Sequence, residues 1–136
     1  IGAEGFGYGE SEWRLTKFSS LGGVLIGDLV DIGSNSTIAR GNVDATQIED
    51  GVKIDTLVNI AHDCHIGENA TITASSAFCG YVSVGRKTRV APNATLLQRV
   101  VVGQEATIGL GAVVISNVED GQTVFGNPAR KTISSS

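Results

Sequence analysis

Ile60-Ala61-His62-Asp63-Cys64-His65-Ile66-Gly67-Glu68-Asn69-Ala70-Thr71-Ile72 carries an isoleucine at every sixth position. The same step collects Ile48, Ile54, Phe78, Val84, Val90, Leu96, Val102, Ile108 and Val114, so twelve consecutive hexads hold a large apolar residue. An earlier series, Ile26, Ile32 and Ile38, keeps the step, and the ten residues from Ile38 to Ile48 are one hexad plus an insertion of four. Four residues after each large one stands a small or β-branched residue, as in Val52, Val58, Cys64, Ala70, Ser76, Val82, Thr88 and Ala94, with Asn42 the loosest fit. Each hexad therefore has two inward positions spaced by two, the alternation of a short strand, followed by a turn. Gly27, Gly33, Gly67, Gly85, Gly103 and Gly109 directly follow the large residue, where a missing Cβ eases close backbone approach or a tight bend.

A helical period of about 3.6 does not fit steps of six. Identical hexads instead specify an all-β solenoid of short parallel strands, each hexad one face of a triangular prism and eighteen residues one coil. The whole chain, 1–136, reads as a single domain: residues 1–25 a first coil with an excursion loop, 26–118 regular coils, 119–136 a C-terminal tail. The chain opens at Ile1 without Met, so a longer native chain is expected.

Composition removes several functions. Ten Lys and Arg against 14 Asp and Glu give a net charge of −4, the wrong sign for a nucleic-acid or anionic-membrane surface. The longest apolar run, Ala112 to Ile115, is far too short for a membrane span, and no stretch reads as a signal peptide, so a cytoplasmic location is expected. Cys64 and Cys79 lack CxxC spacing and read as reduced thiols. Two histidines are too few for a zinc centre built on three, so no metal is expected. A flat ladder of outward threonines, the mark of an ice-binding or purely structural solenoid, is absent.

The hexads resemble those of the hexapeptide-repeat acyltransferases, and the resemblance covers about the whole chain. It implies a left-handed parallel β-helix, a homotrimer and an acyl-thioester co-substrate. Ile1 to Tyr8, Arg40 to Thr46 and Val58 to His62 look like the lipid A branch, the UDP-3-O-acylglucosamine N-acyltransferases, which implies an acyl carrier protein donor. His62-Asp63-Cys64 and Gly126-Asn127-Pro128-Ala129-Arg130-Lys131 are similar to the sugar acetyltransferases, which implies acetyl-CoA and an acetyl group moved to a sugar or nucleotide-sugar amine, or to a hydroxyl in the O-acetyltransferases.

In both branches the general base matches His62, and imidazole suits proton removal near neutral pH. Its hexad position projects it outward near a corner, whereas His65 reads as a solvated turn residue. Adding one coil to His62 reaches Gly80, whose N–H could serve a thioester oxygen as it gains charge, as the resemblance also implies. The column continues to Gln98 and Ser116 and, with the insertion removed, back to Arg40, which is expected to act on the acceptor side and to favour neutral imidazole. A donor arm is expected along Gly80, Gln98 and Ser116, ending at Arg130 and Lys131 for the phosphates of coenzyme A. Asp63 and Asp55 are alternative partners for the imidazole, Asp63 matching the acetyltransferases and Asp55 the lipid A branch. Phe6, Tyr8, Trp13 and Phe18 depart from the hexad register and read either as a cap over the open core or as a wall of the acceptor site.

Overall fold

A computed structural model describes residues 1–132. The last four residues of the expected tail, 133–136, lie outside the described residues. Two-residue strands alternate with corners around a left-handed parallel β-helix. One face stacks Thr37–Ile38, Asn59–Ile60, Ala77–Phe78, Thr95–Leu96 and Val113–Val114. A second stacks Val24–Ile26, Thr46–Ile48, His65–Ile66, Ser83–Val84 and Val101–Val102. The third runs from Asp31–Ile32 through Lys53–Ile54, Thr71–Ile72, Arg89–Val90 and Thr107–Ile108 to Thr123–Phe125.

Phe78 pairs with Ile60 and with Leu96, one coil on either side, so identical residues of the repeat lie directly above one another. Ile38, Ile48, Ile60, Ile66, Ile72, Phe78, Leu96 and Ile108 are fully buried in one continuous core. Burying each such side chain contributes roughly 1.5–3 kcal/mol. Ile26, at the N-terminal end of the repeat, is 42% exposed. The small inward residues include hydroxyls that find acceptors inside: Ser76 Oγ donates to Thr73 O at 2.9 Å and Thr88 Oγ1 to Gly103 O at 2.7 Å.

The glycines after the large residues serve close approach and not the bend. A Cβ at Gly33 would lie 2.5 Å from the Asp55 carbonyl carbon, and one at Gly85 would lie 2.4 Å from the Gln104 nitrogen. The bend falls two residues later, where Leu57, Asp63, Asn69, Ser75, Tyr81, Lys87, Asn93 and Arg99 all have φ between 55 and 66. The fixed path of the solenoid imposes this left-handed conformation on residues that seldom adopt it alone.

Both ends differ from expectation. The repeat does not stop at Val118: Val118 bridges to Val102 and Val124 pairs with Ile108, so a shorter coil continues to Gly126. Val118 occupies the slot of a large residue two positions early, and Val124 follows at the usual step of six. Arg130–Lys131 then folds back antiparallel on Thr123–Phe125. At the N terminus, Ala3 bridges to Ala39 as part of the stack, and the excursion is an antiparallel hairpin of Tyr8–Ser11 and Arg14–Lys17. Phe6 and Trp13 are each 89% exposed, so these aromatics do not cap the core.

Candidate active site

His62 projects from the corner that follows Asn59–Ile60, and its ring is enclosed between two glycines. A Cβ on Gly80 would lie 2.6 Å from Cε1 and 2.8 Å from Nε2, while one on Gly5 would lie 2.9 Å from Cβ and Cδ2. The His62 and Asp63 side chains are only 12% and 8% exposed. Asp63 Oδ2 stands 2.8 Å from Nδ1. An ionised carboxylate only accepts, so Nδ1–H donates to it and Nε2 keeps the lone pair that faces the Gly80 side.

The carboxylate is itself fixed. The Asn42 backbone N–H donates to the same Asp63 Oδ2 at 2.9 Å, and Asp63 N–H donates to Thr46 Oγ1 at 2.9 Å. Asn42 Nδ2 lies 3.2 Å from His62 Nδ1, and Ser20 Oγ donates to Asn42 Oδ1 at 3.0 Å. Asn42 of the insertion and Thr46 just after it thus bracket the His62–Asp63 pair, and Ser20, in the segment that follows the hairpin, is tied to Asn42. Asn42 does not fill an inward slot; Thr46, fully buried, takes it.

Among the described residues Gly80 N–H has no acceptor. The N–H groups of His62, Gln98 and Ser116 in the same column are likewise unpaired, whereas at the corner after Ile26, Ile66 and Val102 a carboxylate takes the hydrogen bond: Asp50 for Asp28, Glu49 for Glu68 and Asp120 for Gln104. An unpaired N–H on the residue packed against a histidine ring suits a developing oxyanion. φ at Gly80 is not in the left-handed region, so the residue serves the space over the ring and not a turn.

Two expected residues stand elsewhere. Asp55 lies at the corner before Asn59–Ile60, one face away from His62, and its Oδ1 accepts from Thr56 N–H at 2.8 Å. It makes no contact with the imidazole. Arg40 occupies the expected column, Ile38 pairing with Ile60, but its Nε–H donates to Gly2 O at 2.7 Å. Its side chain anchors the N-terminal segment, and Gly5 of that segment is what faces the ring. His65 is not simply solvated: it lies in a strand with Nε2 2.6 Å from Glu49 Oε1.

Gln98 and Ser116 continue the column as exposed residues. Ser116, Arg130 and Lys131 line one cavity of about 200 Å³. Lys131 Nζ also meets Glu119 Oε2 at 3.2 Å, an exposed pair of about 0–1 kcal/mol. Phe6 stacks edge-on with Tyr8, ring centres 5.1 Å apart, and joins Gly5, Ala39 and Ala61 in lining a mainly apolar cleft of about 340 Å³ beside His62. Cys64 is buried and unpaired, its Sγ–H donating to Cys79 O at 3.2 Å, and burial pushes its thiol up to about 12. Among the described residues no group of side chains is arranged to hold a metal ion, and no helix is long and apolar enough to cross a membrane.

Asn42, Thr46 and Gly5 were not legible as site residues. Insertions shift their register against the repeat, and only the position of the four-residue insertion, in the coil before His62, gives a hint.

Residues 45–79 match the family described as bacterial transferase hexapeptide (six repeats). Over 119 residues the chain is 38% identical to UDP-3-O-acylglucosamine N-acyltransferase of Delftia acidovorans, covering 88% of this chain and 30% of that protein. The chain spans about a third or less of the length of the curated relatives it matches. UDP-N-acetylglucosamine acyltransferase from Campylobacter jejuni superposes with a TM-score of 0.84 at 25% identity, over 97% of this chain and 50% of that one. PerB from Caulobacter crescentus, solved with CoA and GDP-perosamine, gives a TM-score of 0.64 at 25% identity over 85% of this chain and 58% of that one. Residues 45–79 thus carry the hexapeptide repeat of bacterial transferases, and the chain is built on the left-handed parallel β-helix that the similar acyltransferases share.

Proposed function

We propose that the chain moves an acyl group, acetyl in the first instance, from a thioester to the amino group of a sugar or nucleotide-sugar. The observation that carries this is the His62 ring: Nδ1 held by Asp63, Nε2 against the side-chain-free Gly80, whose N–H is unpaired among the described residues. Nε2 removes a proton as the amine attacks the thioester carbon, and Gly80 N–H donates to the oxygen as it gains charge. Collapse of the tetrahedral intermediate expels the thiolate, which takes up a proton, and leaves the amide.

The donor arm lies along Gly80, Gln98 and Ser116. Three coil spacings from His62 to Ser116 amount to about 14 Å. A pantetheine arm from sulfur to phosphorus spans about 16 Å by chain-length reasoning, so its phosphate would reach the cavity lined by Ser116, Arg130 and Lys131. A carrier protein's phosphopantetheine has the same span, so the distance bears only on where the donor's phosphate would lie. It is the paired cations Arg130 and Lys131, suited to the further phosphates of coenzyme A, that favour coenzyme A as the donor. Phe6 and Tyr8 form an acceptor wall beside the apolar cleft. A corner site of this kind lacks a second wall, and a homotrimer, which would supply one, is part of the proposal. Sedimentation showing only monomer at micromolar concentration would contradict it. Unpaired Cys64 fits a reducing compartment, and the cytoplasm is the proposed location.

A second reading, a lipid A type UDP-3-O-acylglucosamine N-acyltransferase fed by acyl carrier protein, is supported by the 38% identity to the Delftia enzyme. The deciding experiment is a mass-spectrometric screen of acetyl-CoA and acyl carrier protein donors against UDP-amino sugars. Acetylated amine from acetyl-CoA supports the first reading, long-chain product from carrier protein alone supports the second, and no product with either set contradicts both.

A further inference from the structure

The corner beside Gly80 holds a second constellation to which the proton and oxyanion steps at His62 and Gly80 give no part. Tyr81 stands edge-on to the His62 ring, centres 5.2 Å apart at 87°. The guanidinium carbon of Arg99 lies 4.4 Å from the centre of the Tyr81 ring. The Arg99 backbone N–H donates to Gly80 O at 3.0 Å, which ties this corner to the residue over the imidazole. Tyr81 is the one aromatic among eleven non-glycine residues with positive φ. Arg99 is exposed, and among the described residues its guanidinium enters no ion pair or hydrogen bond. A guanidinium laid on an aromatic face is oriented in advance, while its in-plane N–H groups stay free for the paired oxygens of a phosphate.

We propose that Arg99, shelved on Tyr81, binds the phosphate that links the acceptor's sugar to its nucleotide. The identity of the ligand rests on the acyl-transfer reading; the anion site itself does not. Both substrates of such a reaction carry phosphate, and distance separates them. The guanidinium carbon lies no farther from the imidazole centre than the 5.2 and 4.4 Å separations added together. A donor whose thioester sits at His62 carries its phosphate about 16 Å away when extended, beyond that reach and close to Ser116 instead. In a nucleotide-sugar only four to six bonds, about 5–7 Å, separate a ring amine from the first phosphorus. The acceptor's phosphate therefore fits Arg99 while its amine meets Nε2.

Calorimetric titration of UDP, GDP and coenzyme A into the parent, Arg99→Ala and Tyr81→Asn tests this. Asparagine keeps the left-handed corner and removes the shelf. The better-bound nucleoside diphosphate should lose roughly 10- to 100-fold in affinity in Arg99→Ala and several-fold in Tyr81→Asn, with both losses smaller at high salt, while coenzyme A stays within about twofold. Nucleoside diphosphates bound equally by parent and Arg99→Ala, or bound by neither, overturn the proposal. So does a loss for coenzyme A as large as that for the diphosphate, which would assign the anion to the donor. Acyl transfer is assayed separately: a parent that binds the diphosphate through Arg99 but acylates no amino sugar refutes the acyl-transfer reading and leaves the anion site standing.

Discussion

Asp63 Oδ2 reaches Nδ1 of His62, its immediate chain neighbour, at 2.8 Å. Adjacent side chains on extended backbone point to opposite faces, so this contact depends on the corner: φ of 57 at Asp63 turns the chain and brings its carboxylate back to the ring. The corner that every coil needs for closure also sets the tautomer of the candidate base.

Asp63→Asn keeps the shape and removes the charge. The amide can present its NH₂ to Nδ1, which moves the ring proton to Nε2 and occupies the site of the base. The turnover rate should fall by roughly 10² or more while the melting temperature moves little. Steady-state kinetics beside thermal melts check this; unchanged kcat would remove Asp63 from the mechanism.

Gly80→Ala puts a methyl within 2.6–2.8 Å of Cε1 and Nε2, and Gly5→Ala puts one 2.9 Å from Cβ and Cδ2. Neither fits unless the ring tilts. Gly80→Ala should lower kcat by at least tenfold with a near-parental melting temperature, since φ there is ordinary. Gly5→Ala should reduce kcat less, because it crowds the side of the ring away from Nε2. Lowered melting with parental kcat per folded molecule would return Gly80 to a purely structural role.

The repeat and the column were legible because they depend on counting. Hydrophobic residues at steps of six fix the faces, and one coil of eighteen residues carries His62 to Gly80. The surroundings of the His62–Asp63 pair were not, because Asn42 lies on the four-residue insertion and Gly5, against the ring, lies before the hairpin, where Ala3 pairs with Ala39 across both interruptions of register. Arg40 shows the opposite failure: its column was correctly counted, but backbone register does not determine where a long side chain turns, and Gly2 O captured it.

Cys64 gives the stability a pH dependence on the alkaline side. Burial raises its thiol from 9.0 to about 12 in the folded protein, so the folded state favours the neutral thiol. That contribution is complete below pH 9 and is lost as pH rises from 9 toward 12, at about 1 kcal/mol per pH unit. Chemical denaturation at pH 8, 9 and 10 should show the decline in the parent and a weaker one in Cys64→Ala. Identical slopes would contradict it, and so would fast labelling of Cys64 by a thiol reagent at pH 8 in the native protein.

Arg130 and Lys131 share a cavity with Ser116 at the far end of the column. Changing both to Ala should raise KM for acetyl-CoA roughly tenfold or more, since charge-assisted hydrogen bonds to phosphate contribute about 1.5–3 kcal/mol each when well formed. A short pantetheine thioester lacking the phosphates should be almost unaffected. Equal loss with both donors would mean that the antiparallel return strand supports the fold, and the case for coenzyme A over a carrier protein would lose its main support.

The most direct test of the whole account is the rate of acyl transfer to an amino sugar by the parent and by His62→Ala, matched for folding by circular dichroism. Removing one general base from an otherwise intact site should lower kcat by roughly 10²–10⁴ while leaving thioester binding within a few-fold. His62→Ala turning over within twofold of the parent would contradict the account, because Nε2 beneath Gly80 would then have no part in the chemistry.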